Sequence, residues 1–176
     1  MLLVEFALRV DAPSRSLAAA PIRGIPADRA AVAHPGRFPN QPLNISHVSG
    51  YAICNIDDVP DAFGGQYPGA MRFLTDRLGA EQVAFTHRLM PPGSGGKGAY
   101  GHRHRTQEEI YFVISGELQF KLDDDIVECE RGAAVRVAPE VFRSIWNDEP
   151  DDAEIVIVST RVDDSKPEYK PDFWPE

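Results

Sequence analysis

The feature that most constrains the fold is a succession of short strand-like segments between residues 82 and 160. In the first segment, residues 83–90, the side chains of Val83, Phe85, His87 and Leu89 occupy every second position. A Pro-Pro-Gly turn follows. Side chains of a strand point alternately to opposite faces, so this alternation predicts a strand. Further segments of strand composition are Glu109–Ser115, Glu117–Leu122, Ile126–Cys129, Ala134–Val137, Phe142–Trp146 and Ile155–Thr160. Short strands separated by glycine, proline and acidic turns predict an all-β sandwich or barrel.

The chain before residue 82 has weaker patterns. Residues 1–47 are rich in alanine, proline, arginine and glycine without a sustained period, which predicts an irregular N-terminal extension. Within it, Leu2–Val10 is a candidate strand for a sheet edge. Tyr51–Ile56 is predicted as a strand. Ala70–Leu78 is predicted as a short helix that stops at the following glycine, and a strand over Met71–Leu74 is the alternative.

These patterns divide the chain into three parts. Residues 1–47 form the N-terminal extension, residues 48–162 the β domain, and residues 163–176 a C-terminal tail. The tail is acidic, contains proline, and carries the aromatic residues Tyr169 and Trp174. We expect it to lie as a strap over the β domain or across a contact between two subunits.

Composition and charge exclude several classes of partner. The chain of 176 residues carries 18 basic and 27 acidic side chains, a net charge of −9. This balance gives no electrostatic reason to bind nucleic acid or an anionic membrane surface, both of which favour basic patches. No apolar run approaches the about 20 residues that a membrane-spanning helix needs. The apolar start, Met1–Val10, lacks the basic region of a signal peptide, so we expect neither signal nor anchor.

The two cysteines, Cys54 and Cys129, are far apart and in no metal-binding spacing. We interpret both as buried free thiols, which pack like small hydrophobic side chains. Free thiols are typical of reducing compartments, so the expected location is cytoplasmic.

A histidine pair and a glutamate carry the chemistry of the sequence. His102 and His104 are separated by one residue, and Glu109 follows five residues later. Two imidazoles at this spacing on a strand point to the same face. A carboxylate from the next segment completes a set of two nitrogen ligands and one oxygen ligand. Such a set suits a divalent transition metal (Fe, Mn, Ni, Zn or Cu) and leaves positions open for a substrate.

The spacing resembles the first conserved motif of the cupin family. Gly96 is followed after five residues by His102-x-His104, then after four residues by Glu109, and after six more by Gly116. The second motif of the family is present as a frame between Gly132 and Asn147. Its proline and glycine positions hold Ala138 and Glu140, and its metal-binding histidine position holds Arg143.

The resemblance, which covers about residues 80–160, implies a cupin jelly-roll β-barrel and a homodimer. It implies further that His102, His104 and Glu109 bind a metal ion inside the barrel, with the fourth ligand replaced by Arg143. A guanidinium is protonated and offers no lone pair, so Arg143 cannot be a ligand.

Three alternatives for Arg143 follow. In the first, the metal is held by the two histidines and Glu109 alone, and Arg143 clamps an anionic group of the substrate. In the second, Arg143 pairs with Glu109, its charge replaces that of the metal, and the site is metal-free. In the third, Arg143 is displaced and another residue such as His87 reaches the ion.

The predicted function is binding or conversion of a small, anionic organic molecule in the barrel. Arg143 is the candidate for anchoring its anionic group, and Tyr111, which shares strand parity with Glu109, is predicted to line the pocket. A metal-dependent dioxygenase, isomerase or decarboxylase fits these residues. A binding module without chemistry, or a metal-free cupin, fits them too, as does an interaction protein whose cavity is filled by side chains, because the fold alone does not choose the function.

Overall fold

The computed structural model describes residues 50–162 and 166–175. The predicted N-terminal extension and its candidate strand Leu2–Val10 lie outside these residues. The described part is nearly all strand, which confirms the all-β prediction. The elements are a 3-10 turn at Ile56–Asp58, β1 Ala70–Phe73, α1 Thr75–Leu78, β2 Val83–Met90, β3 Ser94–Gly95, β4 Tyr100–Arg103, β5 Glu109–Ser115, β6 Glu117–Leu122, β7 Asp125–Glu130, β8 Ala134–Val137, β9 Arg143–Asn147, β10 Ala153–Thr160 and β11 Glu168–Pro171.

The strands form two antiparallel sheets. One sheet has the order β1-β2-β10-β5-β8, and the other has the order β11-β4-β9-β6-β7 with β3 beside β9. In the first sheet, β10 lies between β2 and β5, so that Ile155 is opposite Arg88 on one side and Val113 on the other. This register decides which side chains of three strands share the inner face of the sheet.

The inner faces of both sheets supply the core. Strand β5 shows why, because its residues are alternately buried and exposed along most of its length, as a strand with one solvated face requires. The core residues are Met90, Tyr111, Val113, Leu118, Phe120, Cys129, Val137, Ile145, Ala153 and Ile155. One of the two free thiols, that of Cys129, is therefore buried in this core, while Cys54 is partly exposed.

Two predictions in the region before β2 need correction. Tyr51–Ile56 does not form a strand: Tyr51 is 71% exposed, Ile53 is 63% exposed, and no strand of the described residues pairs with this segment. The side chain of Asn55 instead accepts a hydrogen bond from the backbone of Asp57 and starts the 3-10 turn. Residues 70–78 were predicted as a helix, with a strand as the alternative. The structure has one after the other, strand β1 and then the single helical turn α1.

The C-terminal tail lies on the second sheet of its own chain. Strand β11 pairs with β4, and the following Phe173 and Trp174 are buried. Phe173 packs on Gly101 so closely that a Cβ atom there would lie 2.2 Å from the ring. The backbone N–H of Gly98 donates to the carbonyl of Trp174 over 2.7 Å. The tail is thus the strap over the barrel that the sequence predicted as one of two alternatives. No helix among the described residues is long and apolar enough to cross a membrane.

Candidate metal centre

The predicted metal ligands converge on the inner side of the barrel. His102 lies in β4, His104 follows the end of that strand, and Glu109 is the first residue of β5. One ligand atom from each of the three lies within 4.8 Å of the other two. The imidazole rings meet edge to face, with centroids 5.4 Å apart, and Nε2 of His104 is 3.5 Å from Oε1 of Glu109. The structure therefore brings together two nitrogen donors and one oxygen donor.

Backbone and side-chain hydrogen bonds fix the loop between the histidines and Glu109. The backbone N–H of His104 donates to the carbonyl of Pro139 over 3.0 Å. The buried side chain of Gln107 donates to Ser159 Oγ and to the carbonyl of Thr160 over 3.0 and 2.7 Å. These contacts tie the loop to strand β10 and to the connection between β8 and β9, and so they hold His104 and Glu109 in place relative to each other. Nothing in the sequence pattern had marked Gln107 or the carbonyl of Pro139 for this role.

The two carboxylate oxygens of Glu109 have different partners. Oε2 accepts hydrogen bonds from the hydroxyl of Tyr111 over 2.5 Å and from Nε of Arg143 over 2.9 Å, and it also contacts Nη2 of Arg143. Oε1 faces His104. Glu109 therefore presents one oxygen to the histidine pair while the other is held by a tyrosine and an arginine.

Arg143 is fully enclosed at this position. Its side chain has no exposed surface, and it lies opposite His102 in the β4–β9 register, so both point to the inner face. Besides Glu109, its Nη1 donates to the carbonyl of Val141 over 3.2 Å. A buried carboxylate and guanidinium that hydrogen-bond each other in this way offset much of the cost of removing both charges from water.

The protonation states suit a metal ligand set. Burial opposes ionisation of Glu109, but the hydrogen bond to His104, the charge of Arg143 and the hydroxyl of Tyr111 outweigh it and lower the pKa of Glu109 to about 2. Burial, followed by the charge of Arg143, lowers the pKa of His102 to about 4. At neutral pH Glu109 is thus ionised and His102 neutral, the forms in which these groups bind metals.

The hydroxyl of Tyr111 remains a hydrogen-bond donor. Burial and, next, the negative charge of Glu109 raise the pKa of Tyr111. The ring is buried in the core and packs edge to face on Phe120, with centroids 5.5 Å apart. Its predicted parity with Glu109 is what the structure shows, since both side chains are on the inner face of β5.

The residues present fit a transition-metal ion on the Oε1 side of Glu109. Two imidazoles and one carboxylate oxygen are a common facial set for such ions. Nδ1 of His104 is buried without a hydrogen-bond partner among the described residues, whereas Nε2 of the same ring faces Oε1 of Glu109. The charge of Arg143 opposes a dication, but Glu109 lies between the guanidinium and the histidine pair.

The three alternatives for Arg143 can now be compared with the structure. The second alternative predicted that Arg143 pairs with Glu109, and the structure contains that pair. His87, which the third alternative invoked, is on the outer face of β2, where its Nε2 is 2.8 Å from Oε2 of Glu154. It does not belong to the group of His102, His104 and Glu109.

Comparisons with known proteins agree with this architecture. The family model described as Cupin domain matches residues 87–159. Two antiparallel sheets with a His/His/Glu group on the inside, together with this match, define the class: the protein is a β-barrel of the cupin type. The chain is a member of the cupin superfamily, similar to its Cupin_2 family. No curated protein sequence matches the chain.

Solved structures show the same fold at low sequence identity. A sugar phosphate isomerase of the cupin superfamily from Silicibacter pomeroyi is 17% identical, with a TM-score of 0.53, and the match covers 70% of this chain and 96% of that one. A predicted oxalate decarboxylase from Thermotoga maritima is 22% identical, with a TM-score of 0.52, and the match covers 62% and 99%. A protein from Acidithiobacillus ferrooxidans, 19% identical with a TM-score of 0.48, is matched over 58% of this chain and only 64% of its own length.

Proposed function

We propose that this cupin binds a divalent transition-metal ion through His102, His104 and Glu109 and holds a small anionic organic molecule next to it. The observation that carries the proposal is the convergence of three ligand atoms within 4.8 Å on the inner face of the barrel. A bound ion of this kind supplies Lewis acidity, which polarises an oxygen of a coordinated substrate.

In this proposal Arg143 and Tyr111 act on Glu109. Both donate to Oε2, and so they hold the carboxylate with Oε1 toward the histidines. Partners of this kind fix the orientation of a ligand and tune its basicity. We therefore assign them as positioning residues, whereas the sequence had made them candidates for direct contact with the substrate.

The comparisons support the proposed class of substrate, a small organic anion. The matched structures include a sugar phosphate isomerase and a predicted oxalate decarboxylase. Sugar phosphates and oxalate are small organic anions, the chemical class that the sequence predicted for this barrel. Isomerisation and decarboxylation are accordingly the first reactions to assay, and oxygen insertion is the third.

A metal-free cupin is the second candidate, and one observation favours it. The buried guanidinium of Arg143 already neutralises Glu109. A dication brought near it gains less from the carboxylate, because a nearby positive charge raises the electrostatic energy of the ion. In that case the barrel would be a binding module for the same class of organic anion.

Metal titration of two variants separates the candidates. Arg143→His removes the competing cation and restores the ligand type of the family motif, so we expect its affinity for Zn²⁺ to rise at least tenfold above that of the wild type. His104→Ala removes a ligand and should abolish binding, while His87→Ala, on the outer face, should leave it unchanged. A wild-type protein that takes up no Zn²⁺, Mn²⁺ or Co²⁺ would contradict the metal proposal and leave the metal-free one.

We further expect the chain to be a cytoplasmic homodimer. The expectation of a dimer rests on the likeness to cupins, and that of the compartment on the free thiols. Sedimentation equilibrium of the full chain tests the first, and localisation of a tagged copy tests the second.

A further inference from the structure

A second arginine, Arg88, points into the barrel. In strand β2 it lies opposite Met71 of β1 and opposite Ile155 of β10, and Ile155 has no exposed surface. Directly paired residues of neighbouring strands point to the same face, so the side chain of Arg88 is on the inner face of the sheet. The next arginine along the sheet, Arg72 of β1, has the opposite parity and lies on the outer face.

Arg88 has no anionic partner among residues 50–162 and 166–175. Its Nε is buried and makes no hydrogen bond, and its closest aromatic contact is the ring of Phe63, with Cζ 5.7 Å from the centroid. Other arginines of the described chain are paired with carboxylates: Arg103 with Glu168, Arg136 with Glu108, Arg143 with Glu109, and Arg161 with Asp76. Nε of Arg72 is likewise buried without a hydrogen bond, but on the outer face, so among these residues Arg88 is the arginine whose unpaired charge points inward.

The environment of Arg88 disfavours its positive charge. Burial lowers the pKa of Arg88, and no carboxylate acts against that shift. A guanidinium keeps its proton even so, which means that the charge stays inside the barrel. Arg88 is partly exposed as a whole, but an inward charge without a counter-ion still lowers stability, so its presence here points to a ligand that supplies the missing anion.

Arg88 shares the inner face of its sheet with part of the candidate metal centre. Across β10, strand β5 carries Tyr111 and Glu109 on the same face as Arg88. Tyr100 is 51% exposed and stacks edge to face on Tyr169, with centroids 5.0 Å apart. Tyr169 is in turn 6.4 Å from the ring of His102. An exposed aromatic pair therefore lies next to His102.

We propose that Arg88 binds a carboxylate group of the organic anion whose remaining polar atoms face His102 and His104. This assignment rests on the function proposed above and deepens it, because it moves the anion-binding role from Arg143 to Arg88. Arg143 is enclosed and already donates to Glu109 and to a backbone carbonyl. Arg88 keeps its forked donors for a ligand, and a planar fork with a single charge matches one carboxylate.

Binding of carboxylate probes to three variants tests the proposal. Oxalate, malonate and succinate are titrated calorimetrically into the full chain, both stripped with EDTA and loaded with Zn²⁺, with succinamide as the uncharged control. We expect at least one carboxylate to bind the wild type and to bind Arg88→Gln at least tenfold more weakly. Arg88→Lys, which keeps the charge without the fork, should be intermediate. Arg72→Gln, on the opposite face of the sheet, should bind as the wild type does.

A thermal readout distinguishes a binding role from a structural one. Arg88→Met removes an unpaired buried charge, so the ligand-free variant should melt at a higher temperature than the ligand-free wild type. The carboxylate that binds should raise the melting temperature of the wild type and leave that of Arg88→Met unchanged. A fall in the melting temperature of ligand-free Arg88→Met would indicate that Arg88 has a partner in the protein, and would overturn the proposal.

Several other results of the titrations would overturn the assignment of Arg88. Equal affinities of wild type and Arg88→Gln, absence of binding by all three carboxylates, or equal loss of succinamide binding would overturn the assignment. Inorganic phosphate is titrated in the same way, and Arg88-dependent binding of phosphate alone would overturn the carboxylate assignment. Failure of the metal proposal is separate, since it appears as absence of Zn²⁺ uptake by the wild type, while the stripped protein still reports on Arg88.

Discussion

At the scale of single residues, the two carboxylate oxygens of Glu109 connect the parts of the site. One oxygen faces His104, and the other is held by Tyr111 and Arg143. The same side chain therefore joins the candidate metal ligands to a buried ion pair. Loss of its charge should affect both stability and metal binding, because Arg143 would remain buried without a counter-ion.

The variant Glu109→Gln tests this double role. Removing one partner of a buried ion pair typically costs about 3–5 kcal/mol, and we expect the free energy of unfolding in urea to fall by that order. Affinity for Zn²⁺ should fall as well. The matched control is Glu108→Gln, the neighbouring residue, whose pair with Arg136 is half exposed; exposed pairs contribute about 0–1 kcal/mol. Equal effects of the two substitutions would contradict the account of Glu109.

The pH dependence of stability follows from the same residues. The pKa of Glu109 is lowered to about 2, so its contribution is complete above its usual range near 4.5 and is lost as the pH falls toward 2. The pKa of His102 is lowered from 6.5 to about 4, so the unfolded chain binds more protons than the folded one within that interval. Both groups therefore make the protein less stable as the medium becomes more acidic.

Thermal melts in a series of buffers below neutral pH measure this slope. The melting temperature of the metal-free wild type should fall steadily as the pH is lowered through the interval between the usual and the lowered pKa of His102. His102→Gln should flatten that part of the curve and leave the steeper fall at lower pH, which belongs to Glu109. A variant curve parallel to the wild type throughout would show that His102 is not neutral in the folded protein.

Much of the candidate site could be predicted from the sequence at this scale. The i, i+2 spacing of the histidines fixes a common face, and a shared parity places Tyr111 beside Glu109. The contact between Arg143 and Glu109 was one of three alternatives, because the direction of a long side chain depends on rotamers and neighbours that the sequence does not state. For the same reason the parity of Arg88 was open until the register of β2 with β10 was known.

At the scale of elements, strand β4 depends on the C-terminal strap. β11 pairs with β4, so that Tyr169 is opposite His102, and Phe173 packs against Gly101 on the outer face. β11 is the edge strand of this sheet, and without it β4 would be the unpaired edge, the part of a sheet that opens most readily. The tail is therefore part of the support of the candidate metal centre.

Removal of the packing in the strap should weaken the site. Phe173 is 5% exposed, and a buried Phe→Ala substitution costs about 3–5 kcal/mol. We expect Phe173→Ala to lower the free energy of unfolding by that order, to raise hydrogen exchange in β4, and to reduce Zn²⁺ affinity. Pro175→Ala, at an exposed position of the same tail, is the control and should change none of these. Destabilisation with unaltered exchange in β4 would contradict the supporting role.

The success of prediction also differed between elements. Strands β5, β6 and β8 were predicted with the bounds that the structure has, and β5 shows the alternation of buried and exposed residues that one solvated face produces. Tyr51–Ile56 has strand composition but no partner among the described strands, and composition alone does not form a strand. Ala70–Leu78 is too short for its helical and strand periods to be separated, and it contains one element of each kind.

At the scale of the whole molecule, membership of the cupin superfamily establishes the barrel and leaves the chemistry to the site. The barrel holds two inward arginines with different surroundings. Arg143 is paired with Glu109, and Arg88 has no anionic partner in the described part of the chain. We propose on this asymmetry that Arg143 holds a metal-ligand residue and that Arg88 binds an anion.

The most direct test is a crystal structure of the Zn²⁺-loaded full chain with anomalous diffraction data collected above and below the zinc absorption edge. The account predicts one anomalous peak bonded to His102, His104 and Oε1 of Glu109, with Oε2 still hydrogen-bonded to Arg143 and Tyr111. The absence of a peak at these residues in crystals soaked with Zn²⁺, or a peak bonded to other side chains, would contradict the central claim.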